Sequence, residues 1–149
     1  MAEIKANILT IDDGMEAVPI NNKLGKQIGV FYFRPTDMGM YKRYQEVLSS
    51  FADIIQPLEN IDIEADGTSN DVATIEKVKE ALYEKCDYLF GGNFSEAFFG
   101  DMHPFSPVGG RFYCEVALEA VGNYISERMK EQTKESEKRI KKYTQKWDK

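Results

Sequence analysis

The stretch Gln27–Asp37, QIGVFYFRPTD, contains the change from strand to helix that decides the fold. Its first eight residues alternate apolar side chains and are rich in β-branched and aromatic types, which predicts a strand with Phe31 and Phe33 on one face. The Pro-Thr-Asp that follows predicts the start of a helix, because the side chain of Thr36 or Asp37 can accept hydrogen bonds from the free N–H groups of a first turn. A sheet therefore precedes the helical part of the chain.

The sequence before this strand also favours extended structure. Residues 3–11 and 15–20 each predict a strand, and they are separated by the turn signal Asp-Asp-Gly at 12–14. This acidic turn lacks the alternating carboxylates and closing Glu of a calcium loop, so we interpret it as a turn. A second turn at 21–25 leads into the strand at 27–34, and the whole region predicts a small antiparallel sheet.

Downstream of residue 34 the apolar residues recur at helical spacing. A first helix carries a narrow stripe that we expect in the core, formed by Tyr41, Tyr44, Leu48, Phe51, Ile55 and Leu58. An acidic loop at 59–70 separates it from a second helix, which begins near 69–71 and ends at Gly91. A tight turn at 93–100, capped by Ser95, and an irregular connector precede a last helix that starts near Arg111.

These segments define the predicted architecture. We expect an α+β fold that is mostly α, with a small N-terminal antiparallel sheet, three main helices and a polar C-terminal helical extension. Residues 1–126 form one domain, with a strand region at 1–34 and a helical core at 35–126, and residues 127–149 form a charged helical tail. A chain of 149 residues is of the usual size for one such domain.

Charge is divided unevenly between body and tail. Residues 127–149 hold nine basic and five acidic side chains, whereas residues 1–126 hold ten basic and twenty acidic ones. The acidic body disfavours binding of nucleic acid. The basic tail is either a solvated helical face or a contact for an acidic partner, which includes the body of a neighbouring copy, and a nucleic-acid binder acting through the tail is a further alternative.

The chemistry-bearing residues are few. A single histidine, His103, and two distant cysteines, Cys86 and Cys114, do not make a disulfide framework, a zinc site or a recognisable catalytic set. The glycine pairs lack phosphate-binding spacing. We therefore expect no enzymatic activity, no catalytic residues, no metal and no cofactor, although a small enzyme using either cysteine as its nucleophile stays an alternative.

Targeting signals are also missing from the sequence. No apolar run approaches the ~18–20 residues that cross a bilayer, and the first residues do not match an export signal. These features predict a cytoplasmic protein that does not bind membranes.

One segment is unusually rich in large apolar residues. Residues 89–100 combine five of them with three glycines. They either fill the top of the helical core or stay exposed as an apolar patch that binds a partner. Because Phe98 and Phe99 are neighbours on one turn, we expect that they do not both face inward easily.

Two blocks of sequence resemble the tail assembly chaperones of long-tailed phages and prophages of Gram-positive bacteria. The first block is FYFRPTD at 31–37, followed by YKRY at 41–44. The second comprises CDYLFGG at 86–92, AFFG at 97–100 and FYCEVALEA at 112–120. This second block is similar to the family's order of Cys, Phe-Gly, Phe-Gly and Cys-x4-Glu-Ala.

The resemblance implies a function in virion assembly. It implies a protein of the bacterial host cytoplasm, absent from the mature virion, that binds the tape measure protein, keeps it soluble and recruits tail tube protein subunits. It supplies no catalytic residues. The alternative within phage biology is a structural tail-completion or tube-end component of the virion, which we expect to be richer in strands.

A holder of a long, apolar-striped client needs an apolar groove on a charged, soluble body. We predict self-association as well, because many copies would act along one client. The residues that we predict for client binding are aromatic or apolar and lie in the 94–105 region and in the tail: Phe94, Phe98, Phe99 and Phe105, with Ile140, Tyr143 and Trp147.

Overall fold

The computed structural model describes residues 7–58 and 69–147, without the side chains of 69–71, 143 and 145–147. The predicted fold class, α+β and mostly α, is confirmed. A single 3-10 turn, Gln56–Leu58, follows the first helix, and the predicted loop at 59–70 lies almost wholly outside the described residues. The elements in chain order are β1 (Glu16–Asn21), β2 (Gln27–Phe33), α1 (Met38–Ile55), α2 (Ser69–Phe90), α3 (Phe94–Phe99), β3 (Pro107–Val108), β4 (Arg111–Phe112) and α4 (Tyr113–Trp147).

The predicted hairpin at 15–34 is present. Strands β1 and β2 pair antiparallel, with Val18 opposite Phe31. The turn between them is closed by the side chain of Asn22, whose Oδ1 accepts from the backbone N–H groups of Leu24 and Lys26 at 2.9 and 3.0 Å. The turn is therefore closed by hydrogen bonds within residues 22–26 and does not depend on the helices.

The predicted strand at 3–11 is wrong over its described part. Residues 7–11 form no ladder, and Ile8, Leu9 and Ile11 are exposed. Strand propensity expresses packing against a neighbouring strand, and no third strand joins the β1–β2 sheet in the described chain. The acidic segment that follows forms Asx turns just before β1, because Asp12 and Asp13 accept from the N–H groups of Gly14 and Met15.

Helix α1 begins where the sequence predicts but presents a different face to the core. Asp37 is the N-cap, and its Oδ1 accepts from the N–H of Gly39 at 2.9 Å. The fully buried residues are Met40 and Val47, whereas Leu48 is 47% exposed. The burial predicted for Leu48 is therefore wrong, since a shift of one residue turns a side chain by about 100° around a helix.

The core is centred on Phe31 of β2. Its ring stacks on Phe33 at a centroid distance of 4.2 Å and meets Phe90, Phe94 and Phe98 edge-on at 5.3, 5.5 and 5.6 Å. Edge-to-face pairs at these distances add to the free energy gained by burying the rings. The cluster thus joins the hairpin, the end of α2 and the short helix α3.

Helix α3 lies directly against β2 because Gly29 has no side chain. A Cβ at Gly29 would stand 2.3 Å from the carbonyl oxygen of Ala97, which is closer than any real contact. Asn93 connects the same two elements, since its Nδ2 donates to the Val30 carbonyl at 2.8 Å and its Oδ1 accepts from the Tyr32 N–H at 3.0 Å. This close approach explains how a six-residue helix is held in place.

The junction between α2 and α3 is set by two local features. Gly91 ends α2 with a φ of +65°, as the sequence predicts, and its N–H donates to the Asp87 carbonyl at 2.9 Å. The predicted cap at Ser95 is wrong, because the N-cap of α3 is Asn93 and Ser95 lies inside the helix. Asp87 Oδ1 accepts from the Ser95 N–H at 2.9 Å. The side chain of Ser95 instead points into the core, where its Oγ lies 3.4 Å from the Tyr83 carbonyl.

Helix α4 starts two residues later than predicted, after the short hairpin β3–β4, and it continues unbroken into the charged tail. Met129 still packs on the core. From Lys130 to Lys142 every described side chain is exposed. We refer to residues 130–147 as the arm. The division of domain and tail at 126 and 127 stays a prediction, although Arg128 and Met129 contact the body.

We expect the two faces of α1 to respond differently to truncation. Met40→Ala removes a side chain that is 1% exposed and should lower the free energy of unfolding by about 2–5 kcal/mol. Leu48→Ala, on the half-exposed face, should cost less than about 1 kcal/mol. Urea denaturation of both variants measures the difference, and equal losses would contradict the assignment of the core face.

Gly29→Ala should destabilise the protein because the new methyl group meets backbone that cannot move without separating α3 from β2. We expect a loss of about 1–3 kcal/mol in the free energy of unfolding. Thermal unfolding followed by circular dichroism tests this, and an unchanged midpoint would show that α3 is not held this closely.

Candidate functional site

The four phenylalanines predicted for client binding lie in the core. Their exposed fractions are 0% for Phe94, 8% for Phe98, 6% for Phe99 and 9% for Phe105. A partner that docks on the folded body does not reach them, so the expectation that part of this cluster forms an exposed patch is corrected. Of the two alternatives left open by the sequence, core packing is the one the structure contains.

Phe98 and Phe99 both face inward because α3 is enclosed on two sides. Phe98 packs toward β2, with its ring 5.6 Å from Phe31. Phe99 packs toward α2 and α4, stacked on Tyr83 at 5.4 Å and edge-on to Tyr113 at 5.7 Å. Neighbouring side chains on a helix point in different directions, so on a helix that lies on a surface one of the two is exposed. Both can be buried when other elements surround the helix, as they do here.

The residues predicted in the tail have a different environment. Ile140 is 55% exposed on the arm and contributes nothing to the core. The side chains of Tyr143 and Trp147 lie outside those that the structure describes. Of the predicted client-binding residues, Ile140 is thus the one that the structure leaves accessible on the described surface.

An apolar groove lies between α1 and α4, with a volume of about 670 Å³. We refer to it as the α1/α4 groove. Its floor is apolar and its rim is charged. It is lined by Met38, Tyr41 and Tyr44 of α1 and by Gly122, Ile125, Ser126, Met129, Lys130, Thr133, Lys134 and Glu137 of α4.

The groove exists because α4 is longer than the body on which it packs. Its inner end is closed where Tyr44 approaches α4, and a Cβ at Gly122 would stand 3.0 Å from the Tyr44 hydroxyl. Partial burial there raises the pKa of Tyr44 above its ordinary value. At the outer end Met38 and Tyr41 are 69% and 45% exposed, so apolar side chains face solvent beside the start of the arm.

A polar cluster fixes the direction in which α4 leaves the body. Arg128 Nη2 donates to Glu16 Oε1 at 2.8 Å, and the Tyr124 hydroxyl donates to the same oxygen at 2.6 Å. The Arg128 guanidinium also lies 5.2 Å from the centre of the Tyr124 ring and pairs with Glu131 at 3.0 Å. The cluster therefore links strand β1 to the first turn of the arm.

The thiols occupy an environment that suppresses their chemistry. Cys86 and Cys114 are both fully buried. Burial raises the pKa of each thiol to about 12. A nucleophilic cysteine requires the opposite shift, because the thiolate is the reactive species.

His103 has its own neighbours in a different part of the molecule. Its Nδ1 accepts from the Phe105 N–H at 3.2 Å, and its Nε2 lies 3.4 Å from Glu76 Oε1. Among residues 7–58 and 69–147, no three His, Cys, Asp or Glu side chains gather where they could hold a metal ion.

The acidic turn at 12–14 is also accounted for by protein contacts. The Asp13 carboxylate pairs with Arg34 at 2.6 Å, and this hydrogen-bonded ion pair lowers the pKa of Asp13. Both aspartates therefore serve the turn that precedes β1, which agrees with the turn interpretation of the sequence.

The α1/α4 groove was missed by sequence reasoning for a specific reason. The helical spacing of Tyr41 and Tyr44 places them in the predicted core stripe, and the charge of the tail separates it from the helix that carries it. The signal that could have found the groove is the spacing of Ile125 and Met129, which extends the buried face of α4 past the last residues that the body can cover.

Comparisons of the chain with known protein families, with curated proteins and with solved structures find no match. No helix in the described part of the chain combines the length and apolarity that a bilayer crossing requires.

The burial of the thiols predicts their reactivity. Because burial raises the pKa of each thiol to about 12, both thiols stay protonated at pH 8, and burial also shields them from a reagent in solution. Ellman's reagent should therefore label neither cysteine in the native protein and both in denaturant. Rapid labelling of the native protein would contradict the structure and would favour the alternative of a small enzyme with a cysteine nucleophile.

Proposed function

We propose that this chain is a tail assembly chaperone of a long-tailed phage or prophage, which binds the tape measure protein, keeps it soluble and recruits tail tube subunits. The observation that carries the proposal is the α1/α4 groove. An open, apolar, charged-rim groove between two helices is the kind of surface that receives the apolar face of another helix. A tape measure protein offers such faces repeatedly along its length.

The residues of the resemblance are architectural, which suits a binding protein. Phe31 and Phe33 form the centre of the core, and Asp37 caps α1. Cys86 is buried within that core, and Gly91 ends α2. These residues stabilise the body on whose surface the groove lies.

The site of client contact that we propose differs from the one expected from sequence. It moves from the buried phenylalanines to Met38, Tyr41, Ile125 and Met129, and it keeps Ile140 on the adjoining arm. A helical client lying in the groove would cover the exposed apolar side chains at its outer end. The charged rim would remain in water and keep the complex soluble.

The alternative of a structural tail-completion or tube-end component has less support. We expect such a component to be rich in strands, and the described residues contain two two-stranded hairpins within a mostly helical chain. The protein-holding role is therefore the better match to this architecture.

Co-expression with the tape measure protein of the same phage or prophage tests the proposal. The wild-type chain should shift the tape measure protein from the insoluble to the soluble fraction and co-purify with it. Tyr41→Glu places a charge in the groove and should abolish both effects while the variant keeps its melting temperature, because Tyr41 is half-exposed.

Tyr88→Glu is the matched control. Tyr88 is likewise an exposed helical tyrosine, at 58%, and it lies outside the groove residues. This variant should solubilise the client as the wild type does. If both variants behave alike, the groove is not the client site, and if the wild type leaves the client insoluble, the chaperone function itself is wrong.

A further inference from the structure

The body leaves the described side chains of the arm uncovered. Every described side chain from Lys130 to Lys142 is exposed, and the arm is held by its own helical hydrogen bonds and by local pairs such as Lys138 with Glu135 at 3.6 Å. A helix of this length without tertiary contacts is only marginally stable in water. Packing of its less polar face against another helix would stabilise it.

The less polar face of α4 is self-complementary. Ile125, Met129, Ser136 and Ile140 follow one another at intervals of 4, 7 and 4 residues, which places them on one side of the helix. The midpoint of this set lies between residues 132 and 133. Reversing the helix about that midpoint exchanges Ile125 with Ile140 and Met129 with Ser136.

The charges of the same segment are complementary under the same reversal. Every charged residue from 127 to 138 has a residue of opposite sign at the same distance on the other side of the midpoint. The pairs are Glu127 with Lys138, Arg128 with Glu137, Lys130 with Glu135, and Glu131 with Lys134. The two members of each pair lie at the same height but on opposite sides of the apolar face of α4, so they do not face each other across an antiparallel pair. The cross-copy contact between opposite charges that this register gives on the groove side is between Lys130 and Glu137, which lie on the same side of that face.

We propose that two copies of this chain associate through antiparallel arms about a two-fold axis between residues 132 and 133. Ile140 of each copy then enters the α1/α4 groove of the other copy, opposite Ile125. Lys130 and Glu137 both line the groove side of α4, and Lys130 of each copy then lies about 3 Å along the helix axis from Glu137 of the other copy. The occupant of the groove in the isolated protein is the arm of a second copy.

The overlap of the arms sets the strength of the dimer. Residues 125–140 span about 24 Å of helix, so the interface is at the small end for specific association and the dimer dissociates readily on dilution. In the proposed function, a client helix and the arm of the second copy compete for the same groove, and this competition rests on that proposed function. Dimerisation itself is independent of that function, because it is measured on the purified chain alone.

Disulfide trapping tests the register. Thr133→Cys lies beside the proposed axis and should form a cross-linked dimer under mild oxidation. Ser136→Cys lies on the same face but about 10 Å from its own copy across an antiparallel pair, so it should not cross-link. The native thiols do not interfere, since both are buried. Cross-linking of both variants would indicate parallel arms, and cross-linking of neither would overturn the proposal.

The apolar contact is tested by sedimentation over about a hundredfold range of concentration. The wild type should pass from monomer to dimer, and Ile140→Asp should weaken association by about tenfold or more, with an unchanged melting temperature because Ile140 is exposed. Leu24→Asp, at an exposed aliphatic residue of the β1–β2 turn, should dimerise as the wild type does.

The two proposals fail in different ways. A wild type that stays monomeric at every concentration, or an Ile140→Asp variant that dimerises normally, overturns the dimer even if the tape measure protein is solubilised. A normal dimer that leaves the tape measure protein insoluble overturns the chaperone function and leaves the dimer intact.

Discussion

The contact between α3 and β2 is the constraint on which the rest of the structure depends. With no Cβ at Gly29, the Ala97 carbonyl reaches the strand, and Asn93 satisfies two backbone groups of β2 at the same point. The short helix then presents Phe94 and Phe98 to Phe31. The aromatic cluster is a consequence of that approach, because a sheet held further away would leave the same rings without partners.

The proposed binding surface of this molecule lies apart from the most distinctive part of its sequence. The aromatic and glycine motifs that carry the family resemblance are used inside the body. The accessible apolar surface is made instead by the ends of two helices, where Met38 and Tyr41 meet Ile125 and Met129. The groove forms because α4 extends past the body on which it packs. Each of the two proposed occupants is a helix that would fill it.

The parts of the fold that could be predicted from sequence are those fixed by local chemistry. The cap at Asp37, the stop at Gly91 and the turn at Asn22 depend on neighbouring residues alone. The predictions that are wrong concern residues whose burial depends on elements far away in the sequence. Leu48 is exposed because α2 packs on the adjacent face of α1, and Phe98 with Phe99 is buried because three elements surround α3. The candidate site has the same origin, since it lies between elements some eighty residues apart in the chain.

The continuity of α4 connects the direction of the arm to the body. One uninterrupted helix of 35 residues, about 50 Å long, runs from the buried Cys114 to the outer end of the arm. The cluster of Arg128, Glu16 and Tyr124 ties this helix to the β1–β2 hairpin. Because Val121 of the same helix lies in the core, an arm that stays helical along its length has its direction set by the body.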